Sequence, residues 1–352
     1  MRLLRISIAL SLSVLATACT TIGTTQPTAR PTSAAPAQTQ YNIGVTKGID
    51  RYIEQRAHVE SVGFRLRRAN VADCARLNKV KPDLGIIVWS LANFPNEEDQ
   101  RRLRQSFALT DAVTVAIAIT QAPAQRAGLR AGMIITHVNG QELPSGQGAT
   151  ERFIALSNIA ARNGPVTLTL NDSSTLSLMA EPTCQYQNIL VRSEDNNAGA
   201  DARSIAITTS LVDFTQSDDE IALILGHELA HKILGHVDQD NPGAPKISKP
   251  SESIFPSAIL SALTTKAASH FSLFNEQDAD YAGLYFMARA GFDVGTAERM
   301  WARINASMHS SSMAQSHPTG PERLKALKAA ALEIKLKQKT GAPLEFTLKP
   351  RQ

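Results

Sequence analysis

The stretch "SDDEIALILGHELAHKILGH", Ser217 to His236, decides the fold because it predicts a buried helix that carries titratable side chains. Ser217 is a favourable N-cap, and Glu220 three residues later completes a capping box. The acidic residues in the first turn suit the positive end of the helix dipole. Apolar residues occupy most other positions and leave little polar face, so we expect the helix to be buried.

Three residues of this helix form a metal-binding pattern. His227 and His231 are four residues apart, so they project from the same helix face and can hold one ion together. Glu228 is rotated about 100° from His227, which puts its carboxylate beside the ion, where it can take a proton from a water molecule. Burying these groups is costly unless they are used. The pattern indicates a zinc peptidase; the alternative is a structural cluster of satisfied histidines.

His236 is the nearest candidate for a third ligand, and its spacing argues against it. The pattern H-E-x-x-H-x-x-G-x-x-H requires glycine where this chain has Leu234 and histidine where it has Val237. His236 also follows His231 by five residues and therefore points to another side of a helix. We expect that His236 is not a ligand.

A better third ligand lies in the stretch "NEQDADYAGLYFMARAGF", which begins at Asn275. Asn275 is expected to cap a helix that Gly291 ends. Glu276 lies in the first turn, and Asp280 lies one turn later on the same face. Glu276 would complete a His₂Glu ligand set, and Asp280 could hydrogen-bond to a ligand histidine. Without the upstream motif, these acids would be expected on a solvated helix face.

Three motifs in this order, H-E-L-A-H, E-Q-D-A-D and "SHPTGPER" (Ser316–Arg323), resemble the HtpX / CAAX prenyl protease type I family of gluzincin metallopeptidases, in its soluble lipoprotein branch. The resemblance implies one zinc ion per chain, with His227, His231 and Glu276 as ligands and Glu228 as the general base. The stretch Asn196–Phe214 looks like the strand and lead-in helix of that family, and the strand edge would pair with substrate backbone.

The same resemblance assigns roles further downstream. It implies that His317 reaches the active site and steadies the oxyanion of the tetrahedral intermediate, and that Arg323 pairs with a nearby acid. From the residues alone, a histidine in a Ser-, Gly- and Pro-rich loop would be expected to be exposed. The mixed segment Lys249–Phe274 is expected to act as a lid, and we expect His270 within it to be structural.

Residues 105–182 predict a separate β-rich module. The stretch "APAQRAGLRAGMIITHVNGQEL", which begins at Ala122, resembles a bacterial PDZ domain. Glycines allow its tight turns, and Asn139-Gly140 supplies positive φ angles. PDZ domains bind extended peptides at a sheet edge. The run "SFALTD" (Ser106–Asp111), where we look for the binding loop, has no glycine, so we assign no binding residues. The alternative is an unrelated small α/β module.

The first residues are typical of an export signal. Arg2 and Arg5 precede the apolar run Ile6–Leu15, which is too short to span a bilayer. Cys19 follows small residues, which resembles a bacterial lipoprotein signal; an ordinary A-x-A cleavage site is the alternative. We expect a signal peptide over 1–18 and a lipidated Cys19 that begins a flexible tether over 19–40. The expected location is the periplasmic side of the outer membrane, or else the soluble periplasm.

Two cysteines remain after Cys19. Cys74 and Cys184 bracket the PDZ-like module, and cysteines in an oxidising envelope can pair. We therefore expect a Cys74–Cys184 disulfide; the alternative is two unrelated buried thiols.

The composition of the 352 residues, 43% of them hydrophobic, allows two domains with cores of their own. Basic residues are mostly scattered and the net charge is only +4, which argues against nucleic-acid binding. We predict an α+β fold, with a mainly helical peptidase domain formed by residues 41–104 and 183–352. The predicted function is a zinc endopeptidase acting on misfolded envelope proteins; the alternative is an envelope chaperone or adaptor with a silent metal site.

Overall fold

A computed structural model describes residues 48–201, 203–239, 272–307, 313, 317 and 320–348. Helices and small sheets are combined in an α+β fold. The helices are α1 (Ile49–Ala69), α2 (Val71–Arg76), α3 (Glu97–Phe107), α4 (Pro123–Arg126), α5 (Ala149–Asn163), α6 (Thr209–Phe214), α7 (Asp218–Ile233), α8 (His236–Gln239), α9 (Leu273–Arg289), α10 (Thr296–Ser307) and α11 (Pro321–Thr340). The predicted signal peptide, Cys19, the tether, His270 and nearly all of the predicted lid lie outside the described residues.

The strands form four small sheets. They are β1 (Val80–Asp83), β2 (Ile86–Trp89), β3 (Thr114–Ala118), β4 (Ile135–Val138), β5 (Gln141–Glu142), β6 (Val166–Leu170), β7 (Thr175–Leu178), β8 (Glu181–Cys184), β9 (Gln187–Val191), β10 (Ala198–Ala200) and β11 (Ser204–Thr208). In one sheet β11 lies between parallel β9 and antiparallel β10. The others are β1–β8, β2–β3 and β5–β4–β6–β7.

The larger hydrophobic core surrounds α7. This helix buries most of its residues against α1, α9, α10 and the β9–β11 sheet, as its nearly continuous apolar sequence predicts. Helices α7 and α9 meet at two glycines: a Cβ built on Gly283 would lie 3.0 Å from backbone atoms of Gly226. The missing side chains therefore let the two helix backbones come into contact, and this brings their polar residues together.

A second core lies between α5 and the strands of the PDZ-like region. Phe153 and Leu156 on α5 share it with Leu84 and Val88, which precede residue 105. The predicted boundaries of the PDZ-like module, 105–182, stay a prediction. The packing places β2, which precedes residue 105, in the core of that module. The Asn139-Gly140 turn has the positive φ angles that were expected, 47° and 76°.

A disulfide joins Cys74 on α2 to Cys184 at the end of β8. Both cysteines are fully buried. The bridge spans 110 residues of sequence and ties the two ends of the segment that contains the PDZ-like region. The pairing is the one that the sequence predicts.

The C-terminal segment after α11 returns to α9. The Nε–H of Arg289 donates to the carbonyl of Leu344 at 2.7 Å, and the ring of Phe346 packs against Tyr281 and Phe286. Leu344 and Phe346 thus pack the C-terminal segment against the helix that carries Glu276. Within the described part of the chain, no helix has the length and apolar character needed to cross a membrane.

Candidate metal centre

Helix α7 presents the H-E-x-x-H residues from a well-capped N-terminus. The Ser217 hydroxyl accepts a hydrogen bond from the Glu220 amide, as expected for an N-cap. The Glu220 carboxylate accepts a hydrogen bond from the Gln216 amide at 2.8 Å. In the predicted capping box it would accept from the amide of Ser217 itself, so the observed contact is shifted by one residue. This cap begins the helix at Asp218 and thereby fixes the faces on which His227 and His231 lie.

Helix α9 presents the downstream acids, but it begins earlier than the sequence suggested. Ser272, not Asn275, is the N-cap: its side chain accepts from the Asn275 amide, and Asn275 is buried inside the first turn. The prediction that Asn275 caps the helix was wrong, because a serine three residues upstream fulfils the same role. Glu276 and Asp280 still lie one turn apart on the face toward α7.

His227, His231 and Glu276 converge on one point. The two Nε2 atoms lie 3.0 Å apart, and the Glu276 carboxylate oxygens lie 3.4 Å from Nε2 of His227 and 3.3 Å from Nε2 of His231. Ligands bound to tetrahedral zinc at about 2.0–2.1 Å would be separated by about 3.3 Å. All three side chains are buried. The donor set and its spacing therefore fit one zinc ion.

His317 completes the cluster from a different part of the chain. Its Nδ1 lies 3.2 Å from Nε2 of His227 and 3.1 Å from both carboxylate oxygens of Glu276, and its Nε2 lies 3.4 Å from Glu228. The potential ligand atoms of the four cluster residues all lie within 4.8 Å of one another. His317 is 2% exposed, so it reaches the site as the resemblance implied and is not the exposed loop residue that its local sequence suggested.

Asp280 and Arg323 form a second layer behind the ligands. Asp280 Oδ1 lies 3.0 Å from Nδ1 of His227, although this N–H does not point at the oxygen closely enough to form a regular hydrogen bond. Arg323 donates to both oxygens of Asp280, at 2.5 and 2.8 Å. It also lies 3.1 Å from Glu276 Oε2 and donates to the carbonyl of His317. One guanidinium thus connects both acids to the His317 segment.

Burial and charge set the protonation of the centre. Burial raises the pKa of Glu228, which favours its action as a proton acceptor. Burial also lowers the pKa of His231 to about 3 and leaves that ring neutral. Burial opposes charge on His227 as well, but the Glu276 and Asp280 carboxylates outweigh it and raise the pKa of His227 to about 10. Burial likewise opposes the charge of Glu276, but the neighbouring histidines outweigh it and hold its pKa far below the ordinary value.

Two further residues border the centre. The Nδ1 atoms of His236 and His231 lie 3.1 Å apart, although the spacing argument expected His236 to point to another side, and His236 is not one of the four cluster residues. The ring of Trp301 on α10 covers the Arg323 guanidinium, with the guanidinium carbon 4.1 Å from the ring centroid. No motif in the sequence marks Trp301, and the sequence indicated no partner for His236.

Two solved structures resemble part of the chain. The HtrA3 PDZ domain bound to a phage-derived ligand is 23% identical, with 29% of this chain and 88% of that chain covered and a TM-score of 0.22. The HtrA-type protease AlgW with a decapeptide is 22% identical, with 30% of each chain covered and a TM-score of 0.20.

Part of the chain also resembles two metalloendopeptidases. Mitochondrial metalloendopeptidase OMA1 of Schizosaccharomyces pombe is 26% identical over 153 residues, and that of Arabidopsis thaliana is 29% identical over 143. The matches cover 39% and 37% of this chain but only 44% and 28% of those relatives. Residues 166–241 and 246–331 match peptidase family M48, a zinc-dependent family, and these ranges include every residue of the cluster. The metal centre of this chain therefore lies within a match to peptidase family M48.

Proposed function

We propose that this chain is a zinc-dependent endopeptidase of the Gram-negative cell envelope that hydrolyses peptide bonds of misfolded or misassembled proteins. The observation that carries the proposal is the convergence of His227, His231 and Glu276 on one point, with Glu228 buried beside them. A bound zinc ion would polarise the peptide carbonyl and lower the pKa of the attacking water.

Glu228 is the proposed general base. Its carboxylate is buried, and its Oε2 has no hydrogen-bond partner among the described residues, so one oxygen is available to a water molecule. Because burial raises its pKa, the carboxylate can take the proton of the attacking water and pass it to the leaving amine. The neighbouring His317 can donate a ring N–H to the oxyanion of the tetrahedral intermediate.

The envelope location rests on the N-terminal sequence and on the disulfide. Arg2, Arg5 and the apolar run before Cys19 support export, lipidation of Cys19 and anchoring at the periplasmic side of the outer membrane. The Cys74–Cys184 bridge supports the same assignment, because disulfides persist in oxidising compartments. Misfolded envelope proteins as substrates follow from the family resemblance.

We also propose that the PDZ-like module binds extended peptides. Within the described residues, strand β2 pairs only with β3, and the other edge of β2 is where an added strand would pair. Gly85, immediately before β2, has a φ of 68°, which allows a tight turn at the start of that edge. In the competing adaptor hypothesis this binding would be the whole function and the metal site would be silent.

Cleavage of casein by zinc-loaded residues 20–352, compared with Glu228→Gln prepared identically, tests the peptidase. The amide keeps the size of the side chain but cannot accept the proton, so we expect cleavage to fall by about 10²–10⁴-fold while one zinc remains bound. Equal cleavage by both proteins would exclude the proposed mechanism. No cleavage by either protein, with zinc bound, would favour the adaptor.

A further inference from the structure

His236 lies directly behind one of the zinc ligands. Nε2 of His231 faces the metal centre, 3.0 Å from Nε2 of His227 and 3.3 Å from Glu276. The other ring nitrogen of His231, Nδ1, lies 3.1 Å from Nδ1 of His236, and the two ring planes are inclined by 70°. The two Nδ1 atoms are thus within hydrogen-bond distance.

The position of His236 is set by the end of α7. Helix α7 ends at Ile233, and Gly235 adopts a φ of 75°, which turns the chain before α8 begins at His236. A continued helix would point a residue at this spacing to another side. The turn instead brings the imidazole back to His231 and buries it to 2% exposure.

The chemistry of two facing ring nitrogens permits only one arrangement when zinc is bound. A ligand nitrogen needs its lone pair, so a neutral His231 that binds through Nε2 carries its proton on Nδ1. That N–H can only donate. Nδ1 of His236 must therefore be the acceptor, and a neutral His236 then carries its own proton on Nε2.

We propose that His236 is a positioning residue that accepts the Nδ1–H hydrogen bond of His231 and thereby holds the ring of His231 and its tautomer for zinc binding. The inference rests on the proposed zinc site. Partners of this kind are usually carboxylates, carbonyls or water, and the Asp280 carboxylate lies 3.0 Å from Nδ1 of His227. The two ligand histidines thus have different partners, one anionic and one a neutral imidazole.

Zinc affinity of His236→Leu and His236→Asn, measured by competition with a chelator, tests the proposal without reference to proteolysis. Leucine provides no acceptor, so we expect zinc to bind about 10- to 100-fold more weakly. The side-chain oxygen of asparagine can take the place of Nδ1 and should recover most of the affinity. His58→Leu removes a histidine that pairs with Asp218 outside the cluster, and it should bind zinc like the wild type.

The tautomer of His236 provides a second test, because a merely structural role predicts no particular protonated ring nitrogen. Two-bond ¹H–¹⁵N spectra of the zinc-bound wild type, with the His236 signals identified by their absence in His236→Asn, should show a ring protonated at Nε2. Protonation at Nδ1, or unchanged zinc affinity in His236→Leu, would overturn the positioning role and leave the zinc site intact. A wild type that binds no zinc would overturn both.

Discussion

The Arg323 guanidinium shows how single side chains hold the metal centre together. Removing three histidines and two acids from water is costly unless each has a partner. Arg323 neutralises Asp280 through two hydrogen bonds, lies beside Glu276 and holds the backbone of His317. These contacts organise the cluster, so individual residues of this layer should affect zinc affinity measurably.

Replacing Arg323 by lysine should weaken zinc binding by about 10- to 100-fold, because one ammonium group cannot reproduce a bidentate pair with Asp280 and also reach Glu276. Zinc retained after dialysis against a chelator measures the effect. Arg303→Lys is a matched control, since Arg303 forms a similar two-bond pair with Glu220 outside the cluster. Equal losses in both variants would point to a general loss of stability.

Zinc binding should depend on pH through His227. Its pKa in the metal-free protein is about 10, well above the ordinary 6.5, so the ring carries a proton at neutral pH that zinc must displace. The apparent affinity should therefore rise about tenfold per pH unit from about pH 7 to 9. The same shift stabilises the metal-free fold fully below pH 6.5, and this contribution disappears as the pH rises through about 10.

The number of protons released on zinc binding can be measured in two ways. One is chelator competition at three pH values, and the other is calorimetry in two buffers of different ionisation enthalpy. One proton released per zinc bound is the expected result. An affinity independent of pH would mean that His227 is already neutral in the metal-free protein.

At the scale of helices, the contact between α7 and α9 decides whether a metal centre exists at all. Each helix alone presents only part of the ligand set, and the two parts meet because Gly226 and Gly283 allow backbone contact. The segment after α11 supports the far side of α9 through Leu344 and Phe346. Glu276 is thus held between α7 and this C-terminal segment.

Gly283→Ala should separate these helices. Its methyl group would lie 3.0 Å from backbone atoms of Gly226 and His227, which cannot move without shifting α7. We expect a loss of about 1–3 kcal/mol in the free energy of unfolding, together with weaker zinc binding. Gly320→Ala is the control, because its added carbon would meet no described residue within 4 Å apart from its chain neighbours, and its backbone is extended. Wild-type behaviour of Gly283→Ala in urea unfolding would contradict this account.

At the scale of the whole molecule, the disulfide ties together the two ends of the segment that contains the PDZ-like region. Cys74 on α2 and Cys184 at the end of β8 both lie in the larger core. The bridge therefore closes the segment that contains the PDZ-like region at the point where it leaves the larger core.

Breaking the bridge with Cys74→Ser and Cys184→Ser together should therefore destabilise the protein. The closed loop of 110 residues corresponds to about 4–5 kcal/mol in the chain-entropy account, less any strain. Both proteins are prepared with Cys19→Ser, and one of them keeps Cys74 and Cys184. Urea unfolding of the two proteins measures the change. Intact mass with and without reductant must first show the bridge in the exported protein, and an unchanged unfolding midpoint would contradict the prediction.

The local parts of the site could be predicted from the amino-acid sequence, because they depend on distances along one helix. The spacing of His227, Glu228 and His231 places them on neighbouring faces of α7 whatever surrounds it. Ser217 marks the helix start, and the alternating and turn residues of the PDZ-like region mark most of its strands. The pairing of Cys74 with Cys184 followed from their number and their positions.

Contacts between distant segments were decided only by tertiary packing. Glu276 joins the histidines because two glycines let α7 and α9 touch, and His317 is buried although its loop composition favours exposure. His236 meets His231 because a glycine in positive φ turns the chain. Such contacts depend on how whole helices pack, and neither periodicity nor spacing along the chain contains that information.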